Sequence, residues 1–178
     1  PVSDSSPRGI QLQFEHGLNV RAQVVVGADG IFSVVRQLKV PPEQSSLQYL
    51  GVHVVLGIAP YSGEPLFEHR VFQTCDGSTR IFAMPFTHAS PTADAQVMWQ
   101  LSFPAERSQA EALARDQEAQ REYVLHLCRD WHHPIPKMLE STPAHLAMGT
   151  PVFDRDPLPV GRIADVRFPS SPAATSEA

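Results

Sequence analysis

Alternation between apolar and polar residues defines the first element of the chain. Ile10-Gln11-Leu12-Gln13-Phe14 places its apolar residues two apart, the period of a strand with one face covered. His16-Gly17-Leu18-Asn19 interrupts the pattern, and Val20 to Val26 returns as a partner strand. Glycine in so short a connection predicts a hairpin. Val24-Val25-Val26, bounded by Gly27, reads as a strand buried on both faces. After Gly27-Ala28-Asp29-Gly30 the period changes. Ile31, Val34 and Val35 fall at i, i+3 and i+4, which predicts a helix from about Ile31 to Leu38, stopped by Pro41-Pro42.

A linker over Pro41 to Ser46 leads into a second pattern. Leu47 to Ile58 is long and mostly apolar, a central strand. Leu66 to Thr74 and Ser78 to Phe86 are β-type runs on either side of Cys75-Asp76-Gly77, whose Asp-Gly marks a tight turn. From Ala95 to Phe103 the alternation is sharp. Val97, Trp99, Leu101 and Phe103 share one face, and Met98, Gln100 and Ser102 the other. The pattern predicts four antiparallel strands with one face on the core and one looking into a cavity. Trp99, Trp131 and Met98 read as core rather than cofactor-stacking groups, with a pocket role open to Met98 or Gln100.

Ala105 to Trp131 turns helical, with Ser108 as N-cap and Glu111 at capping-box spacing. Its apolar stripe is strongest at Val124, Leu127, Cys128 and Trp131, and Pro134 and Pro136 end it. A short helix over Ile135 to Leu139 and a last strand over Thr150 to Asp154 complete the pattern. Pro1 to Gly9 reads as frayed, and the Pro/Ser-rich stretch from Pro157 onward as disordered. The expected fold class is α+β.

Composition narrows the function classes. The 178 residues suffice for one good core or parts of two. A formal net charge of −5, without a Lys/Arg cluster, argues against a nucleic-acid partner. No apolar stretch approaches the ~20 residues of a membrane helix, and no signal peptide is visible. Cys75 and Cys128 stand far apart without a Cys-x-x-Cys pair, so a reduced, cytoplasmic compartment is expected. Oligomeric state is left open.

The chemistry concentrates at the corner from Ala22 to Arg36. A strand that ends in a glycine-flanked turn and feeds a helix presents N–H groups toward a ligand beyond it, a geometry suited to the phosphates or ribose of a nucleotide. A carboxylate repels phosphate oxygens, so Asp29 would act on a ribose hydroxyl or through water, with Arg36 supplying positive charge. Gly27 to Gly30 taken alone also make an ordinary strand-turn-helix corner.

The longer pattern, Val26-Gly27-Ala28-Asp29-Gly30 followed by Ser33 and Arg36, resembles the Asp-Gly fingerprint of the FAD-dependent aromatic-hydroxylase family of flavoprotein monooxygenases. There the segment contacts the region shared by FAD and the NAD(P)H pyrophosphate. The resemblance thus implies cofactor-region contacts at Gly27, Ala28, Asp29, Gly30, Ser33 and Arg36, and leaves catalytic residues unassigned. Val152-Phe153-Asp154-Arg155-Asp156-Pro157-Leu158-Pro159 is similar to the segment that leads back from the substrate domain into the FAD domain. The implied organisation is a partial FAD/NAD(P)-binding domain in 1–40, an antiparallel-sheet substrate domain in 47–150, and a return segment with a disordered tail in 151–178. The implied reaction is hydroxylation of an organic, aromatic small molecule with NAD(P)H and oxygen.

Two other fingerprints of that family are missing. The chain has no Gly-x-Gly-x-x-Gly, and Ile163-Ala164-Asp165-Val166-Arg167-Phe168-Pro169-Ser170 departs from the Gly-Asp-Ala-Ala-His expected after Gly161-Arg162. Asp165 lacks the neighbouring glycine. The chain therefore reads as a fragment, a truncated product or an altered reading frame. One corner gives too few contacts to offset the ordering of so large a ligand, so weak or no FAD binding is expected of the chain alone.

Other chemistries find less support. His132 and His133 are adjacent and point apart, while His69, His88 and His126 lack partners at ligand spacing, so no metal is expected. No Gly-x-Ser-x-Gly elbow is present, and Ser33 is placed to cap rather than attack. Asp154-Arg155-Asp156 reads as a solvated turn with a local ion pair. The alternative from another class is a non-catalytic sheet-and-helix module for partners or small ligands. A third reading is an unstable chain, with Val24 to Val26 an aggregation-prone edge.

Overall fold

The computed structural model describes residues 9–61, 64–90 and 94–158. Within them the chain forms two compact units: 9–46 with 155–158, and Leu47–Asp154. The tail containing Asp165 lies outside the described residues, as does the segment expected to fray before Gly9.

The first unit holds the predicted hairpin, β1 (Ile10–Gln13) against β2 (Asn19–Ala22), with Ile10 opposite Ala22. Gly17, at φ +80°, turns the chain and donates its N–H to Phe14 O at 2.9 Å. A short helix, α1 (Val34–Lys39), follows.

The second unit is built on a five-stranded antiparallel sheet. Its strands are β3 (Gln48–Pro60), β4 (Phe72–Cys75), β5 (Arg80–Thr87), β6 (Gln96–Pro104) and β7 (Ala147–Asp154), in the order β4-β5-β6-β3-β7. The last strand expected over Thr150 to Asp154 is β7; it starts earlier, at Ala147, and joins the four expected strands in one sheet by pairing along β3. The Asp-Gly turn between β4 and β5 forms as expected. Asp76 Oδ1 accepts the N–H groups of Ser78 at 2.9 Å and Thr79 at 2.7 Å, and Gly77 takes φ +102°.

Two expected elements differ. Leu66 to Glu68, read as strand, forms a helical turn, α2 (Pro65–Glu68), with proline in its first turn and the Glu64 side chain capping Leu66 N–H. Proline removes a donor that a strand would need and suits a helix start. The long helix expected over Ala105 to Trp131 is two, α3 (Arg107–Arg115) and α4 (Gln117–Cys128). Asp116 takes extended backbone angles and accepts from Glu118 N at 3.1 Å and Ala119 N at 3.0 Å, so it caps α4 and breaks the run. Ser108 makes no cap. The N-cap of α3 is Glu106, and Glu111 instead pairs with Arg107 at 2.8 Å. A last helix, α5 (Ile135–Ser141), lies where a short helix was expected.

The alternation in β6 sorts as predicted. Val97, Trp99, Leu101 and Phe103 are buried and join Val55, Ala59, Ile81 and Ala83 against Leu113, Val124, Ile135, Met138 and Leu139 of the helices. Close packing explains two glycines. A Cβ on Gly57 would lie 2.3 Å from the Trp99 ring, and one on Gly149 would meet Gln120 and His53 side chains.

His53 is fully buried in this layer. Its Nε2 lies 3.4 Å from Gln120 Oε1, and its Nδ1 is buried without a hydrogen-bond partner. Burial pushes its pKa below the ordinary 6.5, because an imidazolium there loses its water. The unfolded chain therefore takes up this proton first. The stability contributed by neutral His53 is full above pH 6.5, falls as pH drops through that value, and levels off once the folded protein also protonates. Urea midpoints taken on either side of that pH are expected to drop on the acid side, and His53→Leu is expected to shrink the drop.

Candidate functional site

The candidate corner lies in the first unit. β2 ends at Ala22, short of the expected Val26, and residues 23–30 run without regular structure. Val24 is 68% exposed and Val26 80%, so the triple-valine run is not the doubly buried strand its composition suggested. Such a strand needs neighbours on both edges to take up its N–H and C=O groups. Among the described residues none pairs with it.

The break at Gly27 to Gly30 is present, and all four residues are exposed. Gly30 adopts φ +76°, a left-handed conformation that suits glycine, with open space where a Cβ would stand. Gly27 serves another purpose. A Cβ there would lie 2.8 Å from Cβ and Cγ1 of Val35, so its bare backbone lets the turn press against α1.

α1 begins at Val34 instead of Ile31 because side chains claim its first N–H groups. Asp29 accepts the Ser33 hydroxyl, and its Oδ2 accepts Val34 N at 2.7 Å and Val35 N at 3.2 Å. Ser33 is the N-cap, and its Oγ accepts Arg36 N at 2.9 Å. The apolar stripe predicted to anchor this helix does not do so: Val34 is 61% exposed and no residue of α1 is buried. Hydrogen bonds from Ser33 and Val35 hold the Asp29 carboxyl below the usual carboxylate range. Asp29 is thus an anion whose oxygens hold the helix start.

Arg36 also has protein partners. Its Nε donates to Ser45 Oγ at 2.9 Å and its Nη2 to the Asp156 carbonyl at 3.2 Å. Arg155 converges on the same serine. Its Nη1 donates to Ser45 Oγ at 2.7 Å and to Ser45 O, and its Nε to Ile31 O at 3.0 Å. The solvated turn expected at Asp154-Arg155-Asp156 is therefore corrected: Asp154 ends β7, and Arg155 is half-buried against the corner. Sequence reasoning placed Gly27, Ala28, Asp29, Gly30, Ser33 and Arg36 together, and they are together. It missed Ser45 and Arg155, which are distant in sequence and carry no periodic signal.

In the second unit, the sheet face opposite the core is only partly covered. Leu56 stands opposite Gln100 on one neighbouring strand and Met148 on the other, and Ile58 opposite Met98. Gln100 and Met98 are half-buried, Leu56 is 45% exposed and Met148 68%. Elsewhere in this unit, Glu64 Oε2 lies 2.7 Å from His133 Nε2 beside a cavity of about 490 Å³ also lined by Phe67 and Lys137. His69 and His88 approach to 5.9 Å between ring centroids, yet among the described residues no three metal-binding side chains converge. No described helix is long and apolar enough to cross a membrane.

No protein-family model matches the chain. Among curated proteins it is 27% identical over 153 residues to an aurachin C monooxygenase/isomerase of Stigmatella aurantiaca, covering 85% of this chain and 36% of that protein. Solved structures with the same fold include a FAD-containing monooxygenase from Photorhabdus luminescens (TM-score 0.64, 18% identity, 85% of this chain and 44% of that one). Another is 2,6-dihydroxypyridine-3-hydroxylase from Arthrobacter nicotinovorans (TM-score 0.67, 16% identity, 86% and 43%). A third is Klebsiella pneumoniae HpxO, solved with FAD and uric acid (TM-score 0.66, 16% identity, 87% and 37%). The chain spans less than half the length of each of these relatives.

Proposed function

We propose, from a fold held in common with FAD-containing monooxygenases, that this chain is part of an enzyme that uses FAD, NAD(P)H and oxygen to hydroxylate an organic, aromatic small molecule. The observation that carries this reading is the exposed turn at Gly27 to Gly30, set against a helix whose start is held by Asp29 and Ser33. The turn suits a dinucleotide. Its backbone is open to solvent, and the space beside Gly30 is clear of side chains. FAD, when bound, supplies the redox chemistry.

The remaining work falls to the chain. Gly27, Ala28 and Gly30 let the cofactor approach the backbone. Asp29, held anionic, orients a ribose hydroxyl or a bridging water while fixing the first turn of α1. Ser33 and Arg36 keep that geometry, and the Arg36 guanidinium adds positive charge near a pyrophosphate. On the open sheet face, Leu56, Ile58 and Met98 give an apolar floor for a substrate ring, and Gln100 a hydrogen-bonding group.

Expression of this chain together with the sequence encoded on either side of it tests the reading. Flavin is expected to co-purify and to support NAD(P)H-dependent oxygen uptake that an aromatic substrate stimulates. A folded product without flavin overturns it.

A further inference from the structure

We infer that Arg155 is a positioning residue for the Asp-Gly corner, tying the chain that leaves the sheet unit to the turn that faces the cofactor. Two guanidinium groups meet on one buried hydroxyl: Arg36 Nε at 2.9 Å and Arg155 Nη1 at 2.7 Å from Ser45 Oγ. Arg155 also reaches Ser45 O and, at 3.0 Å, the carbonyl of Ile31, the residue directly after Gly30. Arg36 closes the circuit by donating to Asp156 O at 3.2 Å, next to Arg155 in the chain. The segment from Ile31 to Ser45, α1 included, is thus clamped at both ends by one side chain from a residue 110 positions beyond Ser45.

The clamp matters because the corner has little else to hold it. α1 buries no residue, and its register depends on hydrogen bonds from Asp29 and Ser33. A planar guanidinium can serve two carbonyls and a hydroxyl at fixed angles, whereas a lysine ammonium is a point charge on a flexible stem. Arg155→Lys is therefore expected to fail nearly as fully as Arg155→Ala.

The test has two arms, the second of which rests on the flavin reading given above. In the first, amide hydrogen exchange is measured on the whole chain carrying Arg155→Ala, Arg155→Lys or Ser45→Ala. Exchange over 31–45 is expected to quicken about tenfold, the loss of roughly one charge-assisted hydrogen bond, while β6 amides keep their protection. Unchanged exchange over 31–45 overturns the inference whether or not flavin binds. Should Arg155→Ala also release β6, the milder Ser45→Ala decides by the same criterion.

In the second arm, Arg155→Ala is placed in the longer polypeptide. FAD affinity is expected to fall about tenfold and to recover with added guanidinium ion, a rescue that general loss of structure would not show. Weakened binding without rescue overturns the positioning role. A longer polypeptide that binds no FAD even with Arg155 intact removes the flavin reading and leaves the clamp to the exchange data.

Discussion

Gly57→Ala is expected to cost about 3 kcal/mol of stability, toward the upper end of overpacking penalties. The added methyl would enter the Trp99 ring at 2.3 Å. The indole cannot easily step aside. It is 2% exposed, stands directly opposite Gly57 in the β3–β6 register, and donates Nε1–H to Thr142 Oγ1 at 2.9 Å. That hydroxyl in turn donates to Met138 O at 2.9 Å, so moving the ring would disturb the end of α5 as well as the sheet. A lost buried hydrogen bond adds to the steric cost. Urea denaturation of the two proteins measures the difference. A change below about 1 kcal/mol would mean that the core beneath β3 can relax, contrary to the close packing of protein interiors.

The second large effect is expected at Asp29. Asp29→Ala removes the acceptor shared by Ser33 Oγ, Val34 N and Val35 N, leaving first-turn donors without their partner. A six-residue helix with no buried residue has little packing energy to fall back on. Melting of α1 is the expected result, seen as loss of amide protection over Val34–Lys39 with the sheet unchanged. Under the function proposed above, flavin reduction by NAD(P)H in the longer polypeptide is expected to slow more than substrate affinity changes, because the disturbed group lies at the corner. Acid reproduces the effect with the sign given by linkage. The Asp29 pKa is lowered in the folded chain, so its contribution is complete above the unfolded carboxyl value and is lost as pH falls through the folded one. Unaltered protection and unaltered reduction in the variant would remove Asp29 from both roles.

What could be read from the sequence followed from local physics. The period of two in Val97, Trp99, Leu101 and Phe103 survives because one face of β6 is covered by helices, so each side chain declares its own side. Asp76-Gly77 made its turn because side-chain acceptor and left-handed glycine are both local. The α+β class and the antiparallel sheet follow from such signals. The valines at 24–26 misled for the opposite reason: their strand character depends on neighbours that no nearby residue supplies. Asp116 was a legible cue, since an aspartate within a helical period competes for N–H groups and starts a new helix. Arg155 was not legible, because its partners at Ile31 and Ser45 lie over a hundred residues away.

The two thiols of this chain are chemically unequal. Burial pushes the Cys128 thiol up to about 12, which keeps it protonated and shielded within α4, whereas Cys75 stands exposed at the end of β4, an edge strand of the sheet. An alkylating dye or spin probe therefore finds one address in the native protein without any residue being replaced, and modification of the second thiol reports that the core has opened.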